Sequence, residues 1–299
     1  MKLQGLSILI PTYQYNVFPL VQSLHAQAEK LEIEFEICVF DDASPTPVAE
    51  NEAINTLKEA TYTILEKNIG RSAIRNLLAE KAAFDTLLFL DADTEVIRPN
   101  FIEAYTEAIQ PDTQIIYGGI VYQEDPPQTD QMLRWQYGKE REALTVAERQ
   151  KEPHLRFLTL NFLIKKSVFA LLRFNEEIPN LRHEDTLFAL DAKKQQINVQ
   201  HIDNPVVHLG LESSEVFLRK SNESVDALQL FVKEGLINAN ETALSKKAEA
   251  IKNGLSGHMV RWIYRTFKKR MEHNLLSKKP SLFIFDIYRL GYYLETKST

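Results

Sequence analysis

Cysteine is nearly absent from this chain of 299 residues: Cys38 is the single one. That excludes an internal disulfide and fits a reducing compartment. Its place in the run Ile37-Cys38-Val39-Phe40 favours buried packing over thiol chemistry. No apolar run approaches the ~20 residues of a spanning helix. No signal peptide is expected, because Met1-Lys2-Leu3-Gln4-Gly5 leads straight into a short strand-like segment. No Gly-X-Gly-X-X-Gly follows the first strand, which argues against NAD or FAD. Repeats and low-complexity tracts are missing as well.

What is present describes a globular protein. Hydrophobic residues make up 44% and charged residues 25%, ordinary for a soluble domain. The length allows one large domain or two modest ones. The formal net charge is −6, unevenly placed. From Ser256 onward nine Lys/Arg face three Asp/Glu, a local +6 that leaves −12 on residues 1–255. An acidic body with a basic, aromatic tail suggests a surface-binding tail and argues against nucleic-acid recognition by the body.

The first part alternates strand-like and helix-like segments. Leu6–Ile10, Phe35–Phe40, Tyr62–Leu65, Leu87–Leu90 and Ile115–Tyr117 read as strands. Phe18–Glu29, Ala53–Ala60, Ile74–Ala83 and Asn100–Ile109 read as helices. This predicts a mainly parallel α/β sheet flanked by helices. Thr159–Ile164 resumes strand character, Asp185–Lys194 reads as a helix, and Val206-Val207-His208 as a short strand end. The pattern is helical from Glu215 onward. The expected division is a main α/β domain over 1–214, with halves at about 1–120 and about 121–214, and a helical C-terminal extension over 215–299.

Acidic residues stand at the strand ends. Leu87-Leu88-Phe89-Leu90 runs into Asp91-Ala92-Asp93. Paired carboxylates there can hold a hard divalent metal that bridges a diphosphate, or form a plain turn. Asp41-Asp42-Ala43-Ser44 ends the second strand, where an Asp can accept from a nucleobase N–H or cap a solvated turn. Tyr13, in Pro11-Thr12-Tyr13, can cover a flat base or pack on the next helix. Gly70 permits a tight turn before a helix that places Arg71 and Arg75 on one face, one for a phosphate and the other for a carboxylate, or both on the surface. Glu184-Asp185 stands at a helix start, where the dipole favours an anion.

In this order the motifs resemble family 2 glycosyltransferases. They are Pro11-Thr12-Tyr13, Asp41-Asp42-Ala43-Ser44, Asn68-X-Gly70 with Arg75-Asn76, Asp91-X-Asp93, Asn161-Phe162-Leu163-Ile164, His183-Glu184-Asp185 and His208, over roughly residues 5–210. Within that family the motifs resemble bacterial enzymes that build surface polysaccharide, which implies a catalytic domain over 1–214 with a nucleotide-sugar half at about 1–120 and an acceptor half at about 121–214. The resemblance implies a GT-A, Rossmann-like fold and inverting hexosyl transfer from a nucleotide-diphosphate sugar, a UDP-sugar first, to a hydroxyl of a glycan or lipid-linked acceptor. It puts Pro11, Thr12, Tyr13, Asp41, Asp42, Asn68, Gly70, Arg71, Arg75, Asp91, Ala92 and Asp93 around the donor. It makes Asp185 the catalytic base with Glu184 beside it. It gives Mn²⁺ or Mg²⁺ to Asp93, with Asp91 and His208 as further ligands. Two positions depart from the pattern: Gln14 stands where Asn is commoner, and Asn180-Leu181-Arg182 replaces a Gly-rich lead before His183.

Two rivals remain. A sugar nucleotidyltransferase needs a Gly-rich phosphate loop after the first strand, which is absent. A non-catalytic membrane-associated scaffold would let its acids decay, yet Asp42, Asp93 and Asp185 stand. In the tail, Val260, Ile263, Tyr264, Phe267, Met271 and Leu275 share one helix face, with Arg261, Arg265, Lys268 and Glu272 on another. Such helices fit an anionic membrane interface, a homodimer contact, or docking on the protein itself. The expected location is cytoplasmic, at the inner face of the plasma membrane.

Overall fold

The structure, a computed structural model, describes residues 3–177 and 182–296. It divides into two compact units, one of 3–122, 143–177 and 184–210, the other of 123–142, 182–183 and 211–296.

Along the chain come β1 (Gly5–Thr12), α1 (Phe18–Ala28), β2 (Glu34–Asp41), β3 (Ala60–Ile64), α2 (Arg71–Lys81), β4 (Thr86–Leu90), β5 (Thr94–Val96), α3 (Phe101–Ala108), β6 (Ile115–Tyr117) and β7 (Ile120–Val121). They are followed by α4 (Met132–Tyr137), α5 (Val146–Arg149), β8 (Asn161–Lys165), α6 (Lys166–Leu172), α7 (Glu184–Lys194), β9 (Val199–His201) and β10 (Val206–His208). Four helices close the chain: α8 (Ser214–Lys233), α9 (Ala243–Ile251), α10 (Leu255–Leu275) and α11 (Leu282–Glu295).

In the first unit, seven strands form one sheet in the order β3-β2-β1-β4-β8-β6-β9. β8 runs antiparallel to both its neighbours and the other pairings are parallel, so the sheet is mostly parallel. β4 is buried at every position, as its unbroken apolar run requires of a central strand. Alternate residues feed two cores. Leu9, Leu87 and Phe89 join Ile74 and Leu78 of α2 and Phe188 of α7 on one face. Ile8, Ile10, Leu88 and Leu90 join Leu20 and Leu24 of α1 and Phe101 of α3 on the other. Cys38 is buried in the first of these cores, with Leu9 and Phe89, and burial pushes its thiol up to about 12. A smaller sheet, β5-β10-β7, pairs Thr94 with His208.

The helix expected over Ala53–Ala60 is instead a 3₁₀ helix over Ala49–Thr56, and Ala60 opens β3. Its buried residues, Asn51 and Ile54, are three apart, the period of a 3₁₀ turn. Asn51 fastens that turn by accepting from Val17 N and donating to Tyr15 O.

The second unit is helical. Its core gathers Leu133, Leu218, Tyr264, Met271, Leu275, Leu282, Phe285 and Tyr288. Most of the tail's aromatic side chains therefore pack within their own unit. Tyr288 Oη donates to Glu272 and accepts from Asn222. Among the described residues no helix is long and apolar enough to cross a membrane.

Candidate active site

The carboxyl ends of β1, β2 and β4 meet at one edge of the first unit. Asp42 N donates to Thr12 O, Gln14 N to Ser44 Oγ, and Ser44 N to an Asp41 carboxylate oxygen. These bonds zip the two strand-end turns together. Gln14 and Ala43 are held at φ 50° and 56°. Asn tolerates that left-handed region better than Gln, which gives the departure at Gln14 a backbone meaning.

A cleft of about 220 Å³ opens there. Pro11, Thr12, Tyr13, Asp42, Arg71, Arg75, Asp91, Ala92 and Asp93 line it, joined by Tyr15 and Ile74. Nine of the residues expected around the donor are thus brought together. Tyr13 is 49% exposed where it lines the cleft. Asp41, Asn68 and Gly70 are not among the lining residues. Asp41 is buried and accepts from Tyr62 Oη at 2.7 Å. Asn68 donates to Asp42 O. Gly70 takes φ 86°, the turn into α2 that its missing side chain permits. The Asp42 carboxylate accepts from Ile69 N at 2.7 Å and Gly70 N at 2.9 Å, which pins this loop to β2.

Both arginines meet carboxylates. Arg75 is buried, with Nη2 2.5 Å from Asp91 Oδ1 and its guanidinium 5.6 Å from the centre of the Phe174 ring. Asp91 is therefore held by a fixed cation. Arg71 Nη1 lies 3.2 Å from Glu184 Oε1. Glu184 first, with Asp91, Asp185 and Asp93 adding to it, raises the Arg71 pKa and keeps it charged. Glu184 and Asp185 occupy the first turn of α7. Asp185 Oδ1 accepts from Thr186 N at 2.7 Å. Of the lead before His183, Asn180 and Leu181 lie outside the described residues.

Asp93 faces His208, Oδ2 to Nε2 at 3.5 Å, because the β5–β10 register brings them side by side. Leu209 N donates to Asp93 O, closing that turn. A Cβ on Gly210 would strike the Asp93 carboxylate, so glycine there leaves the carboxylate its room. Burial raises the Asp93 pKa, Asp91 adds to the rise, and His208 opposes it. A desolvated carboxylate beside an imidazole is a donor pair for a transition-metal cation. Among the described residues no group of three or more His, Cys, Asp or Glu could hold a metal unaided. The pair therefore fits a cation that takes its remaining ligands from phosphates and water.

Sequence reasoning passed over Tyr15 and Gly210. Burial, then Asp93 and Glu95, raise the Tyr15 hydroxyl pKa, so it stands as a neutral donor at the cleft. Its spacing from Tyr13 was a usable signal. Gly210 had none, since its contact with Asp93 depends on the β10 turn.

The glycosyl transferase family 2 model matches residues 7–175. An uncharacterized glycosyltransferase of Haemophilus influenzae is 25% identical over 215 residues, 70% of this chain and 81% of its own. Two solved structures share the fold. Mannosyl-3-phosphoglycerate synthase from Rubrobacter xylanophilus aligns at a TM-score of 0.56 and 17% identity, over 79% of this chain and 76% of its own. A mannosyltransferase from Pyrobaculum calidifontis, in complex with GDP-Man and Mn²⁺, aligns at 0.56 and 14%, over 97% and 88%. The fold is that of the GT-A glycosyltransferases. The chain belongs to glycosyltransferase family 2 and is a glycosyltransferase.

Proposed function

We propose that the enzyme moves a sugar, with inversion, from a nucleotide-diphosphate donor to a hydroxyl of a glycan or lipid-linked acceptor. The observation that carries this reading is the Asp93–His208 pair, whose Asp93 lines a cleft shared with Arg71, itself paired with Glu184 next to Asp185. Thr12, Tyr13 and Asp42 take the nucleobase end, with a UDP-sugar as the first donor to test. Asp93 and His208 would hold Mn²⁺ or Mg²⁺, with Asp91, paired with Arg75, in support. When bound, the cation stabilises charge developing on the leaving diphosphate.

Asp185 accepts the proton of the acceptor hydroxyl as that oxygen attacks the anomeric carbon. The dipole of α7 favours its anionic form. Arg71 fixes Glu184 beside it. One base and no protein nucleophile give in-line displacement, hence inversion. Pro11-Thr12-Tyr13 at the end of β1, followed by no glycine-rich loop of the kind a nucleotidyltransferase would carry, speaks for transfer of the sugar. The reading places the enzyme at the cytoplasmic face of a bacterial membrane, in surface-polysaccharide synthesis.

The test is a panel of UDP-, GDP- and dTDP-sugars with Mn²⁺, scored by release of nucleoside diphosphate. One donor class should be consumed, EDTA should stop the reaction, and NMR of the product should show an inverted anomeric centre. Retention of configuration, or turnover indifferent to EDTA, would refute the mechanism.

A further inference from the structure

Helix α10 leaves a stripe of its surface in solvent. Leu255 is 91% exposed, Met259 57% and Trp262 60%. Thr266, Lys269, Arg270 and His273 continue the stripe, all exposed. The steps of three and four residues keep these side chains on one side of the helix, opposite Tyr264, Met271 and Leu275 in the core. The apolar part lies at the helix start and the basic part follows, with exposed Lys278 and Lys279 just beyond. Between Leu255 and Lys279 there are seven Lys/Arg and one Glu. Trp262 sets its ring edge-on to Phe267, with centroids 6.0 Å apart. A large aromatic, a Met and a Leu left together in water beside concentrated positive charge are not needed for the packing of their unit.

We infer that this stripe docks on an anionic lipid surface. Leu255, Met259 and Trp262 enter the boundary between headgroups and acyl chains, where Trp is favoured. Lys269, Arg270, Lys278 and Lys279 meet the headgroup phosphates. The contact is peripheral, since no described helix is long and apolar enough to span. Charge selects lipid over a second copy of the chain: a two-fold interface would set this basic stripe against itself. The surface differs from the one the sequence suggested. Tyr264, Phe285 and Tyr288 are consumed by the core, and the membrane-facing role passes to the opposite side of α10.

The test uses the full chain without nucleotide, mixed at low salt with vesicles of phosphatidylglycerol and phosphatidylcholine, or of phosphatidylcholine alone. The protein should float with the anionic vesicles only, with a blue shift of Trp emission. Met259→Ala/Trp262→Ala should lower partitioning by roughly tenfold or more. Lys269→Ala/Arg270→Ala should lower it by a similar factor and flatten its salt dependence. Both variants should keep wild-type circular dichroism and wild-type hydrolysis of the donor by water, so a failure here is distinct from failure of the transferase reading. The proposal is overturned if the wild type stays unbound, binds neutral vesicles equally, or binds unchanged after both pairs of substitutions. It is overturned too if the chain forms a dimer that Trp262→Ala dissolves.

Discussion

Arg71 Nη1 stands 3.2 Å from Glu184 Oε1 and so ties the start of α2 to the start of α7. A cation at a helix N-terminus is disfavoured by the helix dipole. Here Glu184 opposes that effect, together with Asp91, Asp185 and Asp93. The pair connects the cleft lined by Arg71 to the two acids proposed for acceptor chemistry.

Arg71→Ala should therefore damage catalysis more than stability. The Arg71 side chain is 61% exposed, and an ion pair with so exposed a partner contributes less than about 1 kcal/mol to folding. Transfer should fall by roughly tenfold or more through misplacement of the acids. Urea midpoints compared with saturating rates separate the two effects, and an equal loss in both would assign Arg71 to folding alone.

Asp185→Asn keeps the size and the helix start but removes the proton acceptor. Donor binding should stay near normal while the saturating rate falls by roughly 10²–10⁴-fold. Glu184→Gln should cost less. If Glu184→Gln is the more harmful, the roles within the pair are reversed.

Asp42 carries a structural duty beside its proposed contact with the base. Asp42→Ala leaves Ile69 N and Gly70 N without their carboxylate. Losing a charge-assisted hydrogen bond of this kind costs about 1.5–3 kcal/mol, read as a lower denaturation midpoint. If the base contact also exists, affinity for a nucleoside diphosphate should fall further than affinity for metal–pyrophosphate. Equal losses would leave Asp42 with the loop alone.

His201 should make folding pH-dependent. It is buried, with Nε2 donating to Pro153 O and Nδ1 accepting from Arg149. Burial chiefly, with Arg149 adding to it, depresses its pKa from 6.5 to about 4. The unfolded chain then binds more protons between these values, so stability is full above about pH 6.5 and is lost as pH falls toward 4. Unfolding free energies across that window should be flatter for His201→Gln. Parallel curves for the two proteins would rule His201 out as the source.

How much of this the sequence carried depends on whether a feature is local. β1, β2 and β4 were legible because each is an apolar run closed by polar residues, and the acids at their ends mark the crevice. The Ala49–Thr56 turn was not, because its hold on Tyr15 and Val17 is a tertiary contact of Asn51. The antiparallel course of β8 left no trace in its composition. Asp91 and Asp93 look alike in sequence, and only the fold gives Arg75 to one and His208 to the other. The apolar face of α10 was readable by its period, but not what covers it, since a membrane and a neighbouring helix select the same residues.

The central claim is that Asp93 and His208 hold a divalent cation against the donor diphosphate. Calorimetry of UDP and GDP binding with and without Mn²⁺, on wild type and Asp93→Ala, tests it most directly. Mn²⁺ should tighten nucleotide binding to the wild type by roughly tenfold or more, Asp93→Ala should abolish that gain, and His208→Ala should reduce it less. A Mn²⁺ effect that survives Asp93→Ala unchanged would contradict the account.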